Sequence, residues 1–456
     1  PLRWPSVSLC GPGLRFLLFL ALLPACSKGP DAPAPGAAAG QVTISLGVAN
    51  DPVLFAPVVR RFEEDHPGIR VEVRSYPAFG GQATYEYKVR SDLLAGKGPD
   101  VFILPDKEAP NFAHQGLLLD LTALADGQGG IDRADFYPQT LQAWTYEGGL
   151  AGLPHQWAVG VLIVNADLFE KEGIALDDDW DWDAFAAAAK KLTKDTNGDG
   201  RIDRYGCRRA FPDYALIPIW ASGGEVVDPT GTKARLNTPE AVRAIRWYAG
   251  LSTSGHSMIP YPEDVATTND AVDLFATKRL AMLEGANWMV KFLEQVRDFR
   301  WEIMRFPKCP ATGKRATRFS ADAVSIWKDT PHPREAFMLA KAFTEPPWQR
   351  MVAQMGDFIP SRRSIAESPY FLRDDTPWDE RRFLRALDDA RVLPRIPEFN
   401  ALRRTLKDRL EEVWIPSDLG KGAGASPEEA CKRMEADLER AIDARPKALG
   451  KSKFRE

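Results

Sequence analysis

The stretch QVTISLGVANDPVLFAPVVRRFEEDHPGIRVEVRSY (residues 41–76) sets the architecture of this 456-residue chain. Val42, Ile44, Leu46 and Val48 alternate, the period of a strand. Asn50-Asp51-Pro52 then reads as a helix start, with a side-chain cap and a proline whose fixed φ suits the first turn. Val53, Leu54, Val58, Val59 and Phe62 are the face this helix turns inward, and HPG at 66–68 stops it. IRVEVRSY (69–76) alternates again. A second helix is expected from about Thr84 to Ala95, ended by GKGPD, and VFIL (101–104) is the solid apolar run of a strand buried on both faces. Strand, helix, strand, helix, strand is the order of a doubly wound α/β sheet. Such sheets hold ligands beyond the carboxyl ends of their strands. That rule picks out Asn50 and Asp51, residues 76–79, and Pro105 with Asp106. Asp51 also suits a plain N-cap, and Asp106 a solvated loop.

The α/β mixture continues through GGLAGLPHQWAVGVLIVNADLFEKEGI (148–174), the helix WDAFAAAAKKLT (182–193), DYALIPIWASGGEVVD (213–228) and PEAVRAIRWYAGL (239–251). KRLAMLEGANWMVKFLEQV (278–296) reads as strand, tight turn and helix, and RFSADAVSIWK (318–328) as a strand. Beyond Thr330 the chain is mostly helical, closing with the capped helix SPEEACKRMEADLERAI (426–442). That is more chain than one core usually serves, so two lobes are expected. With 59 basic and 63 acidic residues the net charge is −4, which argues against a nucleic-acid partner. Cys207, Cys309 and Cys431 are odd in number and widely spaced, which excludes a disulfide framework and CxxC metal clusters. The 13 tryptophans beside 23 phenylalanines and 10 tyrosines suit a core, and equally the walls of a small-molecule site.

The N-terminus has its own logic. Residues 14–25 are apolar but broken by Arg15 and Pro24, too short for the roughly 20 residues of a membrane-spanning helix. They fit the apolar region of a secretory signal over 1–25, with Arg3 and Arg15 as its positive flank. Leu23-Pro24-Ala25-Cys26 resembles the lipobox of bacterial lipoproteins, a resemblance that implies a lipid on Cys26; the alternative is an ordinary signal with a chance cysteine. Residues 26–40, rich in Pro, Ala and Gly, then form a lipidated tether.

Nine segments in order carry a wider resemblance: RFEEDHPGIRVEV, LLAGKGPDVFIL, HQGLLLDLTAL, GLAGLPHQWAVGVLIVNADLFEKEGI, WDAFAAAAKKLT, SGGEVVD, AMLEGANWM, GDFIPSRRS and SPEEACKRM. From Val42 to Ile442 the chain resembles the extracellular solute-binding proteins of ABC transporters, in the branch of maltose-type and other sugar binders. The resemblance implies a two-lobed periplasmic-binding-protein-like fold, each lobe a sheet flanked by helices, with the ligand cleft between. It implies an N-lobe of 41–155 plus 318–362 and a C-lobe of 156–317 plus 363–456, with crossovers near 154–161, 317–321 and 361–364. It further implies a monomer that captures a solute, a sugar or oligosaccharide, by hinge closure and delivers it to the membrane subunits of an ABC permease. The protein would be exported and held to the bacterial membrane by its lipid, and would not be an enzyme. One departure stands out. The family often has an aromatic pair before an asparagine where this chain has Ile163-Val164-Asn165, so aromatic contacts must come from elsewhere, with Trp157 a candidate.

Trp288 in EGANW follows a glycine turn, where the resemblance places a tryptophan on a sugar ring; a core role is the alternative. Tyr214 and Trp220 carry the same two readings. DTNGDGRIDRYG places Asp195, Asn197, Asp199, the Arg201 carbonyl and Asp203 at the spacing of an EF-hand calcium loop, with Gly200 at its turn. The twelfth position, Gly206 rather than glutamate, leaves a Ca2+ site incomplete, and an Asx-rich turn without metal is the other reading. No cofactor is otherwise required. Five scattered histidines, no HExxH and no GxSxG offer no catalytic constellation, although an acid pair among 63 carboxylates keeps a carbohydrate-active hydrolase as an alternative. A sensor lipoprotein working without a permease is the third reading.

Overall fold

The computed structural model describes residues 41–49, 52–76, 82–208, 212–260, 268–373, 378–414 and 424–445. The architecture below is that of the unit Val42–Glu456. Cys26, Asn50 and Asp51 lie outside the described residues.

β1 (Val42–Ala49) pairs in parallel with β2 (Ile69–Tyr76) along its whole length, and with β3 (Val101–Pro105) through Leu46 and Gly47. β1 lies between the two, so its alternate positions are buried as well. Ser45 survives there because its hydroxyl donates to Asp100 Oδ2 at 2.7 Å and its amide to the same oxygen at 2.8 Å. A small hairpin, β4 (Thr145–Tyr146) and β5 (Gly149–Leu150), precedes the long β6 (Leu153–Asn165). Then come β7 (Met282–Ala286), β8 (Trp301–Met304), β9 (Thr317–Ile326), β10 (Ile359–Pro360) and β11 (Ala390–Val392). The main sheet runs β10-β6-β9-β3-β1-β2, with β11 beside β9 and with β7 and β8 beside β6. The doubly wound expectation therefore holds for β2-β1-β3 only. β9 enters antiparallel to β3, joining Val101 to Ile326 across more than two hundred residues of sequence.

β6 explains how two cores share one sheet. Its first half pairs with β9, and from Gly160 onward it pairs with β7 and β8. At the parting point the Thr317 hydroxyl donates to the Gly160 carbonyl at 2.7 Å. A Cβ on Gly160 would meet the Thr317 Oγ1 at 2.7 Å, so glycine is what the close approach permits. Beyond it, Val161 and Ile163 face a first core with Ile44, Leu46, Phe102, Leu104 and Phe319. Leu162 and Val164 face a second core with Phe185, Ile245, Leu402, Leu406 and Met434. Each such side chain contributes about 1.5–3 kcal/mol by leaving water, which is why β6 reads as a nearly unbroken apolar run.

The helices follow the expected periods, with one correction. Pro52–Phe55 is a 3-10 turn, and the α-helix proper begins at Ala56. Val58, Val59 and Phe62 are buried as expected, but Val53 and Leu54 are 70% and 48% exposed, because the tighter turn rotates them off the helical face. The last helix, Pro427–Asp443, carries the full capping box, Ser426 accepting from the Glu429 amide and Glu429 from the Ser426 amide. Cys207, Cys309 and Cys431 are buried and form no disulfide with one another. Among the described residues no helix is long and apolar enough to cross a membrane.

Candidate functional site

The carboxyl end of β3 meets the second core at a polar junction. Asp106, Lys107 and Glu108 follow β3 directly. Facing them are Asp213 and Tyr214 on the 3-10 turn Pro212–Ala215. Beside these, the helix Phe399–Trp414 brings Asn400, Arg403, Arg404 and Lys407, spaced i, i+3, i+4 and i+7 and so on one face. β9 supplies Arg318 and Asp322, and β6 supplies Gln156. Beside this junction lies a cavity of about 420 Å3, lined by Lys107, Glu108, Pro212, Asn400, Arg403, Arg404 and Lys407 and, from the helix Gln82–Leu94, by Glu86, Tyr87 and Arg90; Asp106, Asp213, Tyr214, Arg318, Asp322 and Gln156 are not among its lining residues. Asn400 Nδ2 donates to Glu108 Oε1 at 2.7 Å, a direct bridge from one side to the other.

Charge at this junction is organised around Arg318. Its guanidinium pairs with Asp213 at 2.9 Å, and Arg403 pairs with the other oxygen of Asp213 at 3.3 Å. Burial pushes the Asp213 carboxyl up, but the two arginines outweigh it and hold the group below its ordinary range. Asp106 is in the opposite condition. It is 5% exposed, and neither of its carboxylate oxygens accepts a hydrogen bond among the described residues. Burial, with a further push from Asp322, raises its carboxyl to about 7, although Arg318 opposes the rise. Asp322 is also raised by burial, while Gln156 Nε2 donates to it at 2.9 Å. Glu86 is raised to about 8 by burial, against the pull of Lys107 at 3.6 Å. Buried polar groups are normally satisfied, so Asp106 departs from the usual condition of a buried carboxylate.

The other expected site residues are dispersed. Tyr214 is buried, donates its hydroxyl to the Gly285 carbonyl at 3.0 Å, and has its ring 5.9 Å from the Arg318 guanidinium. It thus shares the junction with Asp106. Trp157 is fully buried, stacks on Phe319 with ring centres 5.5 Å apart, and donates to the Pro360 carbonyl at 2.9 Å. In this conformation it has no surface to offer a solute. Trp220 is buried in the second core with Arg391 over its ring at 5.2 Å. Trp288 lies half-buried on the turn Asn287–Met289, against the first core. Its neighbour Asn287 accepts from the Val159 amide at 3.2 Å and donates to the Asp357 carbonyl at 3.0 Å, which ties the turn to the junction strand.

The Asp195 loop is folded through hydrogen bonds between its own side chains and amides. Asp195 accepts from the amides of Asn197, Gly198 and Gly200 at 3.2, 2.7 and 2.8 Å, and these donors, the Gly200 amide foremost, hold its carboxyl low. Asn197 accepts from the Asp199 amide, Asp199 from the Arg201 amide, and Asp203 from the amide and hydroxyl of Thr196. These bonds are those of an Asx-rich turn. Among the described residues no three of His, Cys, Asp and Glu come together in a group that could hold a metal.

Several junction residues escaped the sequence reading. Arg318, Asp322 and Asp213 carry no local signature, since their role depends on β9 joining β3. Asn400, Arg403, Arg404 and Lys407 were traceable as one polar helical face. A larger groove of about 860 Å3 is lined by Phe62, Phe337, Met338 and Trp348 on three helices and by residues 127–129 of a loop.

The comparisons agree with this architecture. A family model described as bacterial extracellular solute-binding protein matches residues 58–376. A Brucella abortus protein named as a binding protein is 25% identical over 394 residues, 85% of this chain and 91% of its own length. Among solved structures, the ABC substrate-binding protein of Listeria monocytogenes in complex with cycloalternan superposes with a TM-score of 0.75 at 22% identity, over 89% of this chain and 100% of that one. The maltose/maltodextrin-binding domain of Bdellovibrio bacteriovorus bound to maltotriose does so with a TM-score of 0.70 at 21% identity, over 88% of this chain and 100% of that one. These neighbours have the two-lobed periplasmic-binding fold and are binding proteins rather than enzymes.

Proposed function

Because this chain belongs to the bacterial extracellular solute-binding protein family, we propose that it captures a carbohydrate between its two lobes and delivers it to an ABC permease. The observation that carries this reading is the cavity of about 420 Å3 between the two cores, bridged by Asn400 and Glu108. β6 and β9 run through the junction and serve as hinge strands between an N-lobe of 41–155 plus 318–362 and a C-lobe of 156–317 plus 363–456. A solute that touches both sides favours the closed form by its differential affinity, and the closed form is what a permease recognises. Sugar hydroxyls are donors suited to the Asp106 carboxylate, and Trp288 supplies a flat face for ring stacking. In this reading Asn50 and Asp51 also contact the solute. A lipid on Cys26 keeps the monomer near its permease, with 26–40 as spacer. Binding occurs without turnover.

The test is a thermal-shift screen of the soluble body against a carbohydrate panel. A sugar at a hundred times its Kd should add about 2.7 kcal/mol of stability, and small-angle scattering should show a more compact molecule with it. Failure of every carbohydrate to stabilise the protein, with stabilisation by an amino acid or polyamine instead, would overturn the carbohydrate assignment.

A further inference from the structure

The charges around the junction cavity do not match the rest of the molecule. The chain carries a net charge of −4, yet this cavity is lined by Arg90, Lys107, Arg403, Arg404 and Lys407 against Glu86 and Glu108 alone. Two of the cations are matched, Lys107 by Glu86 at 3.6 Å and Arg403 by Asp213 at 3.3 Å. The Asn400 amide occupies Glu108. Arg90, Arg404 and Lys407 make no ion pair among the described residues. Arg90 leans over the ring of Tyr87, 5.7 Å from its centre, and Tyr87 is itself 64% exposed.

These three cations come from opposite sides. Arg90 belongs to the Gln82–Leu94 helix of the first core, and Arg404 and Lys407 belong to the Phe399–Trp414 helix of the second. Unpaired basic residues on one helix face are ordinarily just solvated. Here they line a shared cavity, so closing the lobes drives like charges together in a space that excludes part of the water, where their repulsion is least screened. An anion held between them reverses that sign, because it attracts both sides at once. Guanidinium groups also match carboxylate and phosphate geometry with paired N–H donors.

Resting on the carbohydrate reading above, we propose that the solute is an acidic sugar, one bearing a carboxylate or a phosphate, and that Arg90, Arg404 and Lys407 clamp its anionic group across the cleft. The neutral part of the same molecule lies toward Tyr87, where a sugar ring meets an aromatic face. Net anionic charge on the solute thus becomes the condition for closure.

Paired probes test this: trigalacturonate beside galactotriose, and glucose 6-phosphate beside glucose, each titrated into the wild-type protein and into R404Q/K407Q. Both substituted residues are exposed, and circular dichroism with a melt verifies that the variant is folded. The expected result is that an acidic member binds at least tenfold more tightly than its neutral counterpart. That preference should be lost in the double variant, and affinity for the acidic sugar should fall as salt is raised from 50 to 500 mM (about one to two cation contacts' worth of screening). Binding by the uronate pair alone identifies a carboxylate solute, and binding by the phosphate pair alone a phosphorylated one. Tighter binding of a neutral counterpart, or an acidic sugar bound equally well by the double variant, overturns the anion clamp while leaving the carbohydrate reading intact. Absence of binding by all four probes, with stabilisation by a non-carbohydrate, overturns both.

Discussion

Replacing Asp106 by asparagine should make the protein more stable at neutral pH, and the size of the gain follows from the junction. The Asp106 carboxyl is raised from 3.8 to about 7 by burial, with Asp322 adding to the rise. An acid whose folded value lies above its unfolded value binds its proton more tightly when folded. Its protonated form therefore costs nothing below pH 4, and the penalty grows as pH climbs from about 4 to about 7 and then levels off. At about 1.36 kcal/mol per pH unit the full penalty is on the order of 4 kcal/mol. Asparagine is nearly isosteric and uncharged, so it removes the penalty without opening a cavity. Arg318 is not stranded, since Asp213 remains 2.9 Å from it. Urea unfolding of wild type and Asp106→Asn at pH 5 and pH 8 measures the effect. The variant should gain about 1.5–2 kcal/mol at pH 5 and about 4 kcal/mol at pH 8. Equal stability differences at the two pH values, or a variant less stable than wild type at pH 8, would refute the argument. The same substitution should weaken solute binding, because an amide is a poorer acceptor for hydroxyls than a carboxylate. Stability gained and affinity lost from one change is the signature of a group kept for function rather than for folding.

Further expectations can be measured with single variants or additives. Trp288→Ala should lower affinity for the screened sugar about thirtyfold or more by calorimetry, if it supplies a stacking anchor; unchanged affinity in a folded variant removes it from the site. Trp157→Ala should cost roughly 3–5 kcal/mol in denaturant unfolding, because its ring is fully buried on Phe319; a loss under about 1 kcal/mol contradicts the packing described. Cys26→Ser should abolish incorporation of labelled palmitate in cells, and labelling that persists sinks the lipid-anchor proposal. EDTA should leave the melting temperature nearly unchanged, because Asp195, Asn197 and Asp199 already accept amides within their own loop; a large drop restored by calcium would show a real metal site.

Much of the architecture was legible because it is written in local periods. The alternation of Val42 to Val48, the apolar run at 101–104 and the Ser426–Glu429 capping box each concern residues a few positions apart, where backbone geometry alone sets the outcome. Even there, a short 3-10 turn was enough to expose Val53 and Leu54, since a helical-wheel reading assumes one uniform pitch. The site was legible only in part. Asp106 could be picked from its place after a parallel strand, and Asn400, Arg403, Arg404 and Lys407 lie at the spacing of one helical face. What surrounds them could not be read so. Whether Trp157 faces a cleft or a core depends on Phe319 and Pro360, and the state of Asp106 depends on Arg318 and Asp322. Those partners arrive through β9, which inserts beside β3 after more than two hundred intervening residues. Burial and charge pairing are properties of such long-range neighbours, and a linear pattern carries no record of which neighbours the sheet will choose.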